Sequence, residues 1–159
     1  MRIGIGYDSH RFDASRKLIL AGVEIPHDEG LAGHSDADAV AHAVTDALLG
    51  AAALGDIGSH FPPDDDAWKG ADSMLLLRTA LRAVEAENYQ VVNVDVTVIC
   101  EAPKLLPHVP AMRESLAHVL DISVSHVSIK GKTNEGMGWI GRREGIAVMA
   151  VALLDAVPV

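Results

Sequence analysis

The segment at residues 36–54, DADAVAHAVTDALLGAAAL, constrains the fold more than any other part of the chain. Alanine has the highest helix propensity, and the segment is long enough for about five helical turns. Ser35 or Asp36 can cap its start with a side-chain oxygen, and Gly55 can stop it. Around this helix the hydrophobic period changes. Val92, Val94, Val96 and Val98 alternate with Asn93, Asp95 and Thr97, which marks a half-buried strand. Met74, Leu77, Leu81 and Val84 recur at helical spacing behind Asp72 and Ser73, marking a second helix that ends near Asn88.

The remaining elements follow from shorter signals. Residues 2–7 (RIGIGY) read as a first strand followed by a polar loop through Lys17, and residues 18–25 as a hairpin around Ala21-Gly22. A third helix is expected over 109–120 and a short strand over 127–130. The apolar run 146–154 reads as a final strand, although a buried helix has the same pattern. No repeat or linker is visible. The expected architecture is therefore α/β or α+β in one domain over residues 1–159: a mixed sheet packed on one side by helices.

With 159 residues, 49% of them hydrophobic and 22% charged, the chain can bury a core, and wholesale disorder is excluded. The 146–154 run is about half the roughly 20 residues that a membrane-spanning helix requires. The start, MRIGIGYDSH, has neither the basic beginning nor the apolar core of a secretory signal, so the protein is expected to stay where it is made. A lone cysteine, Cys100, cannot form an internal disulfide and fits a reducing interior, and the lack of a transit-peptide pattern points to a bacterial cytoplasm, with a trimmed plastid protein as the alternative.

A net charge of −9 argues against a nucleic-acid partner. Its distribution says more. Residues 28–66 hold nine acids and no Lys or Arg, while outside them acids and bases balance at thirteen each. This stretch is expected to be a solvated acidic face or to be partly neutralised by metal cations. Lys130, Lys132, Arg142 and Arg143 cluster against Glu135 alone, which suits an anion.

Several residues could carry chemistry. Asp8 and His10, at i and i+2 on a strand, point to one side and can share a ligand. His42 lies mid-helix with Asp38 and Asp46 at i−4 and i+4, either of which could orient its ring. One carboxylate and two imidazoles would give zinc three ligands and leave a fourth position open. A histidine in such a helix could equally be a satisfied core or interface residue. His34-Ser35 precedes the helix N-terminus, where free N–H groups favour an anion, or Ser35 is simply a cap. The segment 131–145, GKTNEGMGWIGRREG, carries five glycines and suits backbone wrapped around a ligand, with Lys132, Thr133 and Glu135 as a phosphate cradle. Residues 55–70, dense in Gly, Pro and Asp, are expected to form a flap.

Taken together, RIGIGYDSH, GHSDADAVAHAVTDALLGAAALGDIG, WKGADS, NVDVTVI, APKLLPH, KTNEG and GRREGIA resemble the 2-C-methyl-D-erythritol 2,4-cyclodiphosphate synthase family from end to end. The resemblance implies a homotrimer with active sites between subunits and a cytidine diphosphate substrate. The implied reaction is metal-dependent cyclisation of that substrate with release of CMP in isoprenoid precursor synthesis, the work of a phosphorus–oxygen lyase.

Carried over residue by residue, the resemblance implies Zn²⁺ on Asp8, His10 and His42, and a second cation, Mg²⁺ or Mn²⁺, on Glu135. His34 and Thr133 look like the groups that steady the transition state. Ser35, Asp56, Ile57 and Gly58 look like holders of the methylerythritol phosphate part. Ser9 and the loop residues Phe61, Pro62, Pro63, Asp64 and Asp65 are also among the implied contacts. Cys100, Glu101, Ala102, Pro103, Lys104, Leu105 and Leu106, with Lys132 to Glu135 including Asn134, resemble the cytidine and diphosphate pocket, and Trp139 and Arg142 complete the set. Some positions depart from the family pattern. Pro63 takes a usually acidic place, Cys100-Glu101 replaces a small residue followed by Gln, Arg143 replaces a common Gly, and Trp139 stands where another aromatic is usual.

Two other readings fit the residues. One is a mononuclear zinc hydrolase acting on a phosphorylated small molecule, with Asp46 or Asp56 as general base. The other is a trimeric binding module whose His and Asp residues only rigidify an interface.

Overall fold

A computed structural model describes residues 1–62, 64–65 and 68–157. Strand β1 (Arg2–Asp13) is followed by the hairpin β2 (Leu18–Leu20) and β3 (Val23–Ile25), and by the short β4 (Gly30–Leu31). Helix α1 (Ala39–Ala52), the single turn α2 (Ile57–His60) and helix α3 (Ser73–Ala86) lead to β5 (Tyr89–Ile99). Helix α4 (Val109–Leu120), strand β6 (Val127–Lys132), the turn α5 (Gly138–Gly141) and β7 (Gly145–Ala156) complete the order. The main sheet runs β4-β1-β7-β5-β6, antiparallel except where β5 and β6 pair in parallel. Helices cover one face of this mixed sheet, as expected, and the other face leaves Ile3, Ile5, Tyr7 and Met149 exposed.

The approach of α1 to β1 depends on two glycines. A Cβ on Gly4 would stand 2.0 Å from the Ala47 carbonyl oxygen, and one on Gly6 would stand 1.8 Å from that of Ala43. Backbone therefore rests on backbone. The facing helix residues Ala43, Ala47 and Ala51 are buried and small enough to permit this contact. The rest of the core is aliphatic, built from the inward valines of β5 (Val94, Val96, Val98) and the leucines of α1, α3 and α4.

Several boundaries differ from the sequence reading. Strand β1 does not end at Tyr7 but continues to Asp13, because its register with β7 persists through Asp8↔Val148, His10↔Ile146 and Arg11↔Gly145. Helix α1 starts three residues later than expected. Its cap is Asp38, not Ser35 or Asp36, and Asp38 accepts hydrogen bonds from Val40 N–H and Ala41 N–H. The same buried carboxylate accepts from Ala21 N–H at 2.9 Å and Gly22 N–H at 2.6 Å, so it also ties the β2–β3 turn to the helix. At the other end Ala53, with φ +61°, reverses the chain before Gly55 is reached. Residues 55–70 include α2, and the glycine-rich segment includes α5. The 146–154 run is a strand.

Four of the nine acids of residues 28–66 are engaged by backbone amides, Asp64 and Asp65 are exposed, and Asp66 lies outside the described residues. Asp36, Asp38, Asp46 and Asp56 all accept backbone N–H groups. Such bonds satisfy donors that would otherwise be left over at loop and helix ends.

Gly6→Ala should destabilise the protein by about 2 kcal/mol or more, because the added methyl cannot be seated without moving the helix backbone. Gly50→Ala is the contrasting substitution. Its Cβ meets nothing closer than 3.9 Å, and it should be neutral or stabilise by about 0.5–1 kcal/mol. Urea denaturation of the two variants checks both values.

Candidate functional site

Alternation along β1 turns Asp8 and His10 toward the helix layer, and α1, seated on Gly4 and Gly6, brings His42 above them. The Asp8 Oδ2 atom lies 2.9 Å from His10 Nε2 and 3.0 Å from His42 Nδ1, and those two nitrogens are 3.3 Å apart. All three side chains are largely buried. The three atoms lie close to the edge lengths of a tetrahedron, about 3.3 Å for bonds of 2.0–2.1 Å to zinc. One carboxylate and two imidazoles are a donor set suited to a divalent ion of that kind. The residues present fit such a cation.

The surroundings orient these donors. The His10 Nδ1–H donates to the Ala32 carbonyl at 2.6 Å, and a carbonyl only accepts, so in the neutral ring Nε2 keeps its lone pair for the site. Burial alone would raise the Asp8 carboxyl, but hydrogen bonds from His10 and His42 and their charge hold it far below the usual carboxylate range. Burial would lower His10, yet the Asp8 hydrogen bond and charge, with the Ala32 carbonyl, leave it raised above its ordinary value. Arg16 holds the neighbouring loop by donating to the carbonyls of Gly33, at 2.5 Å, and Ser35.

Neither Asp38 nor Asp46 orients the His42 ring. Asp38 is committed to backbone N–H groups, and Asp46 accepts from Ile57 N–H at 2.7 Å. The second ring nitrogen of His42 instead meets Ser73 Oγ at 2.8 Å and Ser35 Oγ at 3.0 Å. Sequence reading missed Ser73 and its partner Asp36, which lie 37 positions apart in the chain and carry no local motif. The expectation of free N–H groups behind His34-Ser35 also fails, because Asp38 occupies them. His34 itself is exposed on that loop.

The other expected residues fall into groups. Cys100, Glu101, Pro103, Lys104, Leu105, Leu106, Lys132 and Thr133 line one cavity of about 520 Å³. Within it the Glu101 carboxylate accepts from Asn134 N–H at 2.8 Å and Gly136 N–H at 3.3 Å, and Thr133 Oγ1 donates to Glu135 at 2.9 Å. Burial, then the charge of Glu101, pushes the Cys100 thiol up to about 11, so it is not a thiolate nucleophile near neutral pH. Trp139 borders a second cavity of about 680 Å³ together with Ser9 and His10, and Arg142 pairs with Glu144 at 2.7 Å.

Asp56 caps α2 by accepting from Ser59 N–H and Oγ–H, bonds that hold its carboxyl below the ordinary value. Ile57 and Gly58 form that turn, and buried Phe61 meets Trp68 edge-on at 5.0 Å between centroids. Pro62 is half-buried, Asp64 and Asp65 are exposed, and Pro63 lies outside the described residues.

Within one chain the cavity of residues 100–106 and the metal donors lie apart on the sheet. Asp8, Val148, Val98 and Gly131 form one cross-strand row, so the start of the KTNEG segment lies three strand spacings, about 14 Å, from the metal donors.

Residues 1–155 match the YgbB family. The chain is 61% identical over 154 residues to 2-C-methyl-D-erythritol 2,4-cyclodiphosphate synthase of Neisseria gonorrhoeae (strain ATCC 700825 / FA 1090), covering 97% of this chain and 96% of that protein. It superposes with a TM-score of 0.89 and 41% identity on a CDP-bound form of 2C-methyl-D-erythritol-2,4-cyclodiphosphate synthase, covering 97% of this chain and 100% of the other. It also matches the bifunctional IspDF of Campylobacter jejuni with a TM-score of 0.94 and 42% identity, covering 98% of this chain and 42% of that one.

His10 must be neutral to hold a cation, and its pKa in the metal-free protein is raised above 6.5. The stabilisation it gains from Asp8 is present below pH 6.5 and is lost as pH rises through the folded value. A bound cation replaces the proton, so the increase in Tm on adding Zn²⁺ should be larger at pH 8 than at pH 6. Thermal unfolding with and without metal at the two pH values checks the sign.

Proposed function

The chain belongs to the YgbB family, and from that premise we propose that it cyclises 4-diphosphocytidyl-2-C-methyl-D-erythritol 2-phosphate to 2-C-methyl-D-erythritol 2,4-cyclodiphosphate with release of CMP. The observation that carries this reading is the convergence of Asp8, His10 and His42 on one point. The cavity lined by Glu101, Lys104 and Lys132 supports it, since a cytidine diphosphate needs a separate pocket with cations at its mouth. We read residues 1–159 as one synthase domain and the protein as a bacterial cytoplasmic lyase of isoprenoid precursor synthesis.

In this reaction an oxygen of the 2-phosphate attacks the β-phosphorus. The bond from that phosphorus to the oxygen shared with the α-phosphate breaks, and CMP leaves with the electron pair. A phosphate monoester has a second pKa of about 6, so the nucleophile is already anionic at neutral pH and no strong general base is required. Zn²⁺ on Asp8, His10 and His42, and Mg²⁺ or Mn²⁺ on Glu135, would supply Lewis-acid neutralisation of phosphate charge when bound. Lys132 adds a fixed positive charge beside the diphosphate, and Thr133 and His34 donate to oxygens that gain charge in the transition state. Ser35 with the Asp56–Gly58 turn holds the sugar part, Trp139 offers a stacking surface, Arg142 faces phosphate, and residues 100–106 hold cytidine. Enclosure makes the attack intramolecular and keeps out water.

The separation of about 14 Å between Asp8 and Gly131 along the sheet supports a site in which the metal donors of one subunit work with the KTNEG segment of another. The apolar face of Ile3, Ile5, Tyr7 and Met149 offers the surface for that assembly, which we propose is a homotrimer. Light scattering on the purified protein should then give three times the 16.8 kDa of one chain.

Incubation with the cytidyl substrate and Mg²⁺, followed by phosphorus NMR, should yield CMP and a cyclic diphosphate, and a chelator should abolish both. CMP with only open-chain phosphates would instead identify a hydrolase, and no release would identify a binding module. His42→Ala should remove the first metal and lower turnover about a hundredfold or more while the fold persists. Glu135→Ala should keep that metal and lose turnover.

A further inference from the structure

Of the two nitrogens of His42, Nδ1 faces Asp8 and Nε2 faces a hydroxyl. Ser73, the first residue of α3, places Oγ 2.8 Å from Nε2. The same hydroxyl makes a short hydrogen bond to Asp36 Oδ1, and Ser73 N–H donates to Asp36 Oδ2 at 3.1 Å. A carboxylate only accepts, so the one hydroxyl proton of Ser73 is committed to Asp36. Its oxygen then has only lone pairs to offer the ring. Ser73 Oγ is therefore an acceptor for an Nε2–H, and in the neutral imidazole that bond leaves Nδ1, which faces Asp8 at 3.0 Å, with its lone pair.

Neighbouring contacts obey the same polarity. Ser35 Oγ lies 3.2 Å from Ser73 Oγ, where it can donate to the second lone pair, and it accepts from Ala37 N–H at 3.2 Å. Asp36 N–H donates to the Ala71 carbonyl at 3.1 Å, which fastens the loop before α1 to the start of α3. The Asp36 carboxylate is the terminal acceptor of this group, taking both the N–H and the hydroxyl of Ser73.

We infer that Asp36 and Ser73 are positioning residues whose hydrogen bonds hold His42 as its Nε2–H tautomer and so keep Nδ1 open to a divalent cation. The inference rests on the metal reading of the Asp8–His10–His42 site. Neither residue touches the cation site itself. Without the Ser73 hydroxyl, Nε2 keeps only Ser35, which can donate as well as accept, so the ring is free to place its proton on Nδ1 and block the site.

The test measures the Zn²⁺ dissociation constant by competition with a chromophoric chelator, with the d–d absorption of the Co²⁺-loaded protein as a second readout. Circular dichroism and the Tm of the metal-free protein report the fold. Ser73→Ala should raise the dissociation constant about 10- to 100-fold and change the Co²⁺ spectrum, with the metal-free Tm little altered. Ser73→Thr, which keeps the hydroxyl, should remain within about threefold of wild type. Asp36→Asn should weaken binding in the same direction by at least about threefold, and it decides the matter should Ser73→Ala fail to fold. Wild-type affinity in either folded variant overturns the relay while leaving the metal reading intact. A wild-type protein that binds no metal overturns both.

Discussion

Contact between the backbone of α1 and the backbone of β1 is the constraint on which the rest of this molecule depends. With any side chain at positions 4 or 6 the helix would stand away from the strand, since the Cβ atoms would fall within 2.0 Å of carbonyl oxygens. His42 reaches Asp8 and His10 only because the turn of helix before Ala43 lies directly on the strand. Close packing here is therefore a matter of alignment as much as stability. A shift of about 1 Å between these elements would separate donor atoms that now lie 2.9 to 3.3 Å apart.

A second constraint is the direction of hydrogen bonds. Around the site the terminal partners are groups that can only accept: the Ala32 carbonyl behind His10 and the Asp36 carboxylate behind Ser73. Each fixes where a proton sits on a ring one or two bonds away. The acids between residues 28 and 66 do related work. Asp38 ties a turn to a helix start, and Asp46 holds the first N–H of α2. Four members of an acidic run in sequence have become local anchors, each aimed at particular amides.

How much of this could be read from sequence depended on whether the signal was local. The alternating valines of β5, the spacing of α3 and the pairing of Asp8 with His10 all follow from period, and the structure keeps them. The second half of β1 could not be read, because Ser9 and Arg11 on one face and Asp8 and His10 on the other leave no apolar alternation. Only its register with β7 makes it a strand. The start of α1 was misplaced because Ser35, Asp36 and Asp38 are all good caps, and the choice fell to Asp38 through amides of the distant 21–22 turn. The i−4 and i+4 carboxylates of His42 looked like ring partners by helical geometry. Their competing backbone donors lie elsewhere in the chain, as does Ser73, so the outer contacts of the ring exist only in three dimensions.

The same alternation that hides β1 explains its use. Its inward face carries Gly4, Gly6, Asp8 and His10, and its outward face carries Ile3, Ile5 and Tyr7. One surface of the strand thus seats the helix and supplies metal donors, while the reverse surface is the apolar patch through which the proposed subunits meet. In that proposed assembly, burying Ile3, Ile5 and Tyr7 would stiffen the strand from behind, and the backbone of α1, resting on Gly4 and Gly6, holds it from the front. A strand held on both faces has little freedom to twist Asp8 away from His10. In the proposed assembly, the partner that brings the KTNEG segment to the metal donors would therefore also rigidify those donors, so that completing the site and aligning it would be one event.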